Sequence, residues 1–419
     1  MLGSSSKPPN FPHLPLLNHV ERLFEVQAQQ PLAGYSFLCV QHLLASTGSL
    51  IESLERCGAD RSRMVVVGKG YSTNDAVLDS LRQSGIRVTN AIFNTTTSEP
   101  YDTVLTRAVA AAMARVQADL QSGSSRGLLV IDDGGHALAE TQHLIRADLS
   151  IKAVEQTTRG IRLAAALPPR FCIVNIGRSQ AKLELEAPLI AESMVQKFKK
   201  SLTLGSHLFG EQRDILLMGY GAVGQQVAYL LRKENYNVTV FDTAAEIRRT
   251  AVAQGFSVVE SLETAFEKSC VVAASTGSTS FPAARHELLK SNSVLANMGS
   301  SDLEFAAWEL REGNHVRSVY DLNGRELRLS GREAPWRKHY MLNHQRGHLY
   351  LMKGGFPVDF DGEPDPIPPT AIQLTRALLL AGALQAARET RKGLVDLDAD
   401  VQRQIMEEYA RLTAAFGNA

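Results

Sequence analysis

Asp214-Ile-Leu-Leu-Met218, Gly219-Tyr-Gly221-Ala-Val-Gly224, Gln225 to Lys233 and Asn237-Val-Thr-Val-Phe-Asp242 follow one another along the chain. They read as strand, glycine turn, helix and strand, the βαβ setting that a dinucleotide fingerprint requires. Gly219 permits the tight turn. Gly221 lets a pyrophosphate approach backbone N–H groups at the helix start, around Ala222 and Val223, and Gly224 lets helix and strand pack closely. Asp242, closing the second strand, can accept the hydroxyls of an adenosine ribose. The same acid selects the cofactor: a 2′-phosphate about 4 Å from a carboxylate costs roughly 4 kcal/mol at an effective dielectric near 20, so NAD is expected rather than NADP.

Outward from this unit the α/β rhythm continues. Cys270-Val-Val-Ala-Ala-Ser275-Thr276-Gly277 extends the sheet and can offer polar contacts to the cofactor at its end, and Val294-Leu-Ala-Asn297 follows. Val316 to Tyr350 reads as short strands and turns. Upstream, Tyr35-Ser-Phe-Leu-Cys-Val40, Met64-Val-Val-Val-Gly68, Arg87-Val-Thr-Asn90 and Gly127-Leu-Leu-Val-Ile-Asp132 are short apolar strands separated by helical patterns, the longest from about Asp102 to Gln121, with a break at Gly123-Ser-Ser-Arg126. Strands alternating with helices imply a second parallel sheet covered on both faces. The strand ending at Asp132-Asp133-Gly134-Gly135 places carboxylates at the carboxyl edge, where open α/β sheets bind ligands. Downstream, Pro364-Asp-Pro-Ile-Pro-Pro369 punctuates the chain before an apolar helix, Ala371 to Ala387, and a charged amphipathic one from about Asp396 to Ala415.

The expected fold is α/β, with a Rossmann NAD-binding domain inserted into a second doubly wound α/β substrate domain. The divisions expected are 14–200 and 345–395 for the substrate domain, 201–344 for the NAD domain and 396–419 for a C-terminal helix. A substrate cleft is expected between the two domains. Lys+Arg and Asp+Glu both number 44, so no net field draws the chain to nucleic acid or an acidic lipid surface. No run approaches the roughly 18 apolar residues of a spanning helix, and the start from Met1 to Pro12 is Ser/Pro-rich and expected to fray. Cys39, Cys57, Cys172 and Cys270 are scattered without metal-site or disulfide spacing. A cytoplasmic protein without metal is expected, acting on a small molecule.

Several phrases resemble S-adenosylhomocysteine hydrolase, and in that family's order: Gln41-His42 with Leu50-Ile-Glu-Ser-Leu54, Tyr71-Ser-Thr-Asn-Asp75, Asp132-Asp-Gly-Gly135, Glu155-Gln-Thr-Thr-Arg-Gly160, Gly219-Tyr-Gly-Ala-Val-Gly224 and Asn297-Met-Gly-Ser-Ser-Asp302. The resemblance covers roughly Leu14 to Val395. It implies bound NAD that oxidises a nucleoside 3′-hydroxyl, so that the C4′ proton becomes removable and the 5′-thiol can leave; water then adds and the ketone is reduced back. It assigns His42 and Asp133 to acid/base work around C4′ and C5′. Thr157 and Thr158 match positions at the nicotinamide end, and Asn297 and Gly299 fall in a cofactor-contacting phrase. Lys182 and Glu186 match a catalytic Lys and an Asp. As an i,i+4 pair they would share a helix face, though a solvated surface pair has the same spacing. A tetramer is implied, with a dimer as the alternative.

The departures matter as much. Where the family repeats Glu-Glu, this chain has Glu155-Gln156, putting a neutral amide at a candidate catalytic position. Ala187 replaces an Asn, Ile190 stands near a family Cys, and Ser300 replaces a His. Leu44 and Ser46 stand where the family has Thr and Glu contacting adenine, and Asp361 to Pro369 replaces a Gly-His-Pro segment that closes over the substrate. The family's Lys/Tyr-rich tail is missing, so cofactor is expected to be held less tightly. A site built to hydrogen-bond particular groups discriminates strongly when those partners change. Three readings follow: NAD-dependent transient oxidation of a secondary hydroxyl on a changed nucleoside or sugar-like substrate, S-adenosylhomocysteine hydrolysis itself, and a catalytically silent NAD-binding regulatory protein.

Overall fold

The computed structural model describes residues 11–94, 97–121, 123, 125–144, 149–266, 270–311, 315–329, 333–344 and 347–417. The first ten residues of the expected frayed start, and Ser124 of the expected break, lie outside them. In chain order the strands are β1 (Tyr35–Gln41), β2 (Met64–Lys69), β3 (Arg87–Ala91), β4 (Gly127–Asp132), β5 (Ser150–Glu155), β6 (Cys172–Asn175), β7 (Asp214–Met218), β8 (Asn237–Phe241), β9 (Ser257–Val258), β10 (Val271–Ala274), β11 (Ser293–Asn297), β12 (Val316–Asp321), β13 (Glu326–Leu327), β14 (Lys338–His344), β15 (Gly347–Leu351) and β16 (Gly393–Asp396). The chain forms two compact units. One comprises Met1–Ala91, Leu105–Glu186 and Gly362–Ala419; the other comprises Ile92–Val104 and Ala187–Asp361.

The first unit carries one parallel sheet in the order β16-β6-β5-β4-β1-β2-β3. Its central strands are buried along their whole length, β1 without one exposed residue, as expected of strands covered on both faces. The strand order reverses between β1 and β4, which makes their carboxyl ends the switch point of a doubly wound sheet. Helix Pro369–Arg388 lies on the sheet with every residue from Ile372 to Leu384 buried. Gly382 allows that approach, since a Cβ there would meet Val154 at 2.8 Å and Ile176 at 3.2 Å. Helix Ala45–Arg56 begins at the end of β1. Its first N–H groups, otherwise orphans of a helix start, reach the Pro364 carbonyl from Ala45 at 2.8 Å and the Asp365 carboxylate from Ser46.

The second unit repeats the scheme. Its sheet runs β13-β12-β14-β15-β11-β10-β7-β8-β9, parallel from β9 through β15, with β14, β12 and β13 added antiparallel. Alternation along each strand sorts side chains into two cores: Ile215, Leu217, Val271 and Ala273 enter one, Leu216, Met218, Val272 and Ala274 the other. That is the period-two pattern of a doubly covered sheet. Its switch point lies between β7 and β10.

The borders between units differ from the divisions expected at 200/201 and 344/345. Helix Ala187–Phe209 sends Ala191, Met194, Val195, Phe198 and Phe209 into the second unit's core, so the border falls after Glu186. β15 pairs in parallel with β11, which holds the chain in the second unit as far as Asp361. Ile92–Val104 joins it as well, through Phe93 and Tyr101 against Trp336 and Phe356. Helix Ala399–Gly417 belongs to the first unit, with Ile405, Tyr409 and Leu412 in that core. The charged helix expected from Asp396 is preceded by a strand, β16, that periodicity could not show in four residues with an exposed Leu394. Among the described residues no helix is long and apolar enough to cross a membrane.

Candidate functional site

At the switch point of the first sheet, β1, β2 and β4 deliver His42, Lys69 and Asp133 to one place. Asp133 sits just past β4 and is 2% exposed. Its Oδ1 accepts from Lys69 Nζ at 2.6 Å. Its Oδ2 accepts from Gln156 Nε2 at 2.5 Å and lies 3.2 Å from His42 Nε2. Burial alone would raise the pKa of this carboxyl, but the Lys69 ammonium and the hydrogen bonds from His42 and Lys69 outweigh it and hold Asp133 well below the usual carboxylate range. Burial lowers the His42 pKa, against the pull of Asp133, so its imidazole is neutral near pH 7. His42 Nδ1 is 2.5 Å from Ser72 Oγ. With Nε2–H directed at the carboxylate, Nδ1 is the acceptor for that hydroxyl. Asp133 is therefore a fixed anion that orients, and His42 is the member of the pair able to take up a proton.

The polar chain extends from there. Gln156 Oε1 accepts from Gln41 Nε2 at 3.3 Å, and Gln41 Oε1 accepts from Arg376 at 3.4 Å. Arg376, 3% exposed, also donates to Ser46 Oγ at 3.1 Å, and Ser46 donates to Asp365 at 2.6 Å. Lys182 and Glu186 lie in one π-type turn with Nζ and Oε2 3.0 Å apart, which excludes a purely solvated pair. Lys182 also donates to the Gln156 carbonyl at 2.7 Å, and Thr375 donates to Glu186 at 2.8 Å. The structure thus brings His42, Asp133, Gln156, Lys182 and Glu186 into one hydrogen-bonded neighbourhood. Its neighbours Asp132 and Glu155 do a different job. Asp132 accepts the N–H groups of Asp133 and Leu138, and Glu155 those of Gly134, Gly135 and Thr157. Burial raises both carboxyls. Thr157 caps the helix Thr158–Ala166 through its hydroxyl; both Thr157 and Thr158 stand in the first unit, the remaining candidate cofactor residues in the second.

In the second unit the glycine turn has the shape its sequence implies. Gly219 has φ +91°, and a Cβ there would strike the Ser275 carbonyl at 2.6 Å; a Cβ on Gly224 would strike the Gly219 carbonyl at 2.2 Å. In front of Gly221 a Cβ meets nothing within 4 Å. Gly221 precedes helix Ala222–Lys233, so open space faces the start of a helix whose first N–H groups await an anion. Asp242 accepts Tyr220 N–H and Ala244 N–H, both at 2.9 Å, one on each oxygen. A lone pair on each remains for ribose hydroxyls. These residues fit NAD. At Thr276 and Gly277, candidate cofactor contacts, both N–H groups and the Thr276 hydroxyl go to Glu304, each at 2.7 Å. Asn297 likewise ties loops together, donating to the carbonyls of Ser301 and Gly355 and accepting from Gly299. They shape the carboxyl edge of β10 and β11, where Ser275 leads the loop.

Sequence reading missed Lys69, Arg376 and Glu304. Lys69 had a signal, a charge closing the apolar run Met64 to Gly68 at a parallel strand's carboxyl end. Arg376 and Glu304 had none, because their partners lie far along the chain. Among the described residues no group of His, Cys, Asp or Glu is placed to hold a metal ion.

A sequence profile for "S-adenosyl-L-homocysteine hydrolase, NAD binding domain" matches residues 190–322, the part of the chain that builds the second sheet. Over this segment the chain shares the NAD-binding domain of the S-adenosylhomocysteine hydrolases. Its cofactor is NAD. An uncharacterized protein of Mycobacterium tuberculosis is 32% identical over 357 residues, covering 85% of this chain; the chain spans only 65% of that relative's length. The S-inosyl-L-homocysteine hydrolase of Methanopyrus kandleri is 24% identical over 94% of this chain and 87% of its own. The adenosylhomocysteinase of Thermococcus kodakarensis is 24% identical over 96% and 88%.

Proposed function

We propose that this chain is a divergent member of the S-adenosylhomocysteine hydrolase family, an NAD-dependent enzyme acting by transient oxidation of a secondary hydroxyl on a nucleoside or sugar-like substrate, and that its substrate differs from S-adenosylhomocysteine. NAD, when bound, supplies the acceptor for hydride from the hydroxyl-bearing carbon. The first unit supplies the substrate site and the proton transfers. The Lys182–Glu186 pair is a route by which the hydroxyl proton can leave: the ammonium passes one proton to the carboxylate 3.0 Å away and, as the amine, takes up the hydroxyl proton in its place. A carbonyl at that position makes the neighbouring C–H acidic, and the neutral His42 imidazole, oriented by ionised Asp133, can remove that proton and return it. The single observation carrying the reading is that Lys182, Glu186, His42 and Asp133 are joined through Gln156 by hydrogen bonds and ion pairs.

The changed substrate is supported by the partners now in place. Gln156 donates to Asp133 where a carboxylate would repel it, and the Ser46 hydroxyl is engaged by Asp365 and Arg376. The test is a panel of nucleosides and sugars offered to the purified protein with NAD, followed by the near-ultraviolet absorbance of reduced cofactor. At least one is expected to give a signal, which Lys182→Met lowers by about 10²-fold or more. No signal from any of them sinks the reading. The near full-length match to two named hydrolases favours a second reading, hydrolysis of S-adenosyl- or S-inosylhomocysteine, which homocysteine release measures directly. A cytoplasmic homo-oligomer, dimer or tetramer, belongs to the same proposal, and sedimentation of the NAD-bound protein tests its assembly.

A further inference from the structure

The loop leaving β15 contains two charges that neither the glycine turn nor the proton machinery uses. Lys353 is 2% exposed and Asp359 3%. Among the described residues, Lys353 Nζ and Asp359 Oδ1 each lack a hydrogen-bond partner. Asp359 and then Asp361 pull the pKa of the buried ammonium up, while burial and Lys197 push it down, and the His339 ring accepts the Lys353 backbone N–H at 3.2 Å. Lys353 also takes φ +48° and is followed by Gly354 at φ +58°. A left-handed lysine is costly, and such strain persists where surrounding structure holds a residue for use. An unpartnered buried ammonium is costlier still.

The position of this loop is set by the sheet. Asn297, at the end of β11, donates to the Gly355 carbonyl at 2.7 Å and accepts from Val358 N–H at 3.0 Å, so residues 353–359 are stitched to the carboxyl edge. Asp242 marks the adenosine end of the cofactor on one side of the switch point. A dinucleotide laid across a doubly wound sheet directs its other half past β10 and β11, toward β15.

We propose that Lys353 and Asp359 hold the carboxamide of the nicotinamide ring. A phosphate or carboxylate there would be repelled by Asp359 and a cation by Lys353. The group that suits both is neutral, with one acceptor for the ammonium and one N–H donor for the carboxylate, and a primary carboxamide has that arrangement. Its oxygen accepts from Lys353 and its amide donates to Asp359 Oδ1, which satisfies both unmade bonds and orients the ring.

Calorimetric affinities test this without relying on turnover. The unmutated protein is titrated with NAD, with its 3-acetylpyridine analogue, which keeps the carbonyl but lacks the N–H donor, and with ADP-ribose, which lacks the ring. NAD is expected to bind roughly tenfold or more tighter than the acetylpyridine analogue, the value of a hydrogen bond to a charged group. Lys353→Met is expected to lose roughly tenfold to a hundredfold for NAD and nothing for ADP-ribose. Equal affinity of the unmutated protein for NAD and the acetylpyridine analogue overturns the proposal, as does a Lys353→Met protein, folded by its melting curve, that binds NAD unchanged or loses NAD and ADP-ribose alike. The last two outcomes would assign the pair to an internal water or to the fold. The analogue comparison needs no variant, so the proposal stands or falls on it even where Lys353→Met fails to fold.

Discussion

Lys69→Met removes the ammonium 2.6 Å from Asp133 while keeping most of the side chain's bulk. Both members of the pair are nearly inaccessible, 6% and 3% exposed at the side chain. Removing one partner of a buried pair costs about 3–5 kcal/mol, because the other charge stays behind. Gln156 and His42 still donate to Asp133, which points to the lower end, about 3 kcal/mol at neutral pH. The pH dependence distinguishes this from lost packing. Asp133 is held below its unfolded value, so its contribution is present above about pH 4 and is lost as pH falls through the depressed folded value. The gap between the unmutated protein and Lys69→Met is therefore widest near pH 7 and narrows below about pH 4. Urea denaturation at a series of pH values measures it. A gap of under about 1 kcal/mol at neutral pH, or one that does not change with pH, would refute the fixed-anion account of Asp133.

Gly221→Asp separates cofactor binding from folding: the new Cβ has open space, so the melting temperature should hold. A carboxylate about 4 Å from a phosphate charge costs roughly 4 kcal/mol at an effective dielectric near 20, so NAD affinity should fall by about a thousandfold in titration. His286 gives a second handle on pH. Burial first, then His344 and His315, lower it to about 4, so its contribution to stability is present above about pH 6.5 and lost as pH falls toward 4. Between pH 7.5 and 5 that amounts to about 2 kcal/mol, which His286→Phe should flatten in a plot of melting temperature against pH. An unaltered slope would contradict it.

Much of this was legible in the sequence because it is local. The glycine turn, the strand before it and Asp242 lie within one βαβ unit, where residue type and spacing dictate shape. The buried strands β1, β2, β4, β7, β10 and β11 were visible as short apolar runs, whereas β5 and β6 were not read as strands. What stayed hidden depends on distance along the chain. Helix Ala187–Phe209 is continuous in its pattern, so only its packing against the second core shows where the unit begins. Thr276 and Gly277 carried the right groups for cofactor contacts, yet Glu304, some thirty residues on, takes them. Arg376 and Lys353 lay in segments whose composition reads as an apolar helix and a short turn, and their burial follows from sheet order.

The substitution of Gln156 then acquires a physical meaning. A Glu at this position would bring a second carboxylate to within hydrogen-bonding reach of Asp133, where Gln156 Nε2 now lies 2.5 Å from Oδ2. Two carboxylates that close cannot both ionise and share one proton. With an amide there and Lys69 on the other oxygen, there is no proton to share and Asp133 is a permanent anion. Gln156→Glu should restore the shared proton. The pair's raised folded pKa contributes stability that is full below the unfolded value near 4.3 and lost as pH rises through the folded value. The variant should therefore match the unmutated protein near pH 4 and fall behind it by about 3–4 kcal/mol near pH 8, for a shift of roughly two to three units. The two variants thus lose ground in different pH windows: the Lys69→Met deficit is complete once pH exceeds about 5, whereas the Gln156→Glu deficit only begins to grow there. If Gln156→Glu melts with the pH dependence of the unmutated protein, Lys69 is able to neutralise both carboxylates, and the amide is not what makes Asp133 a fixed anion.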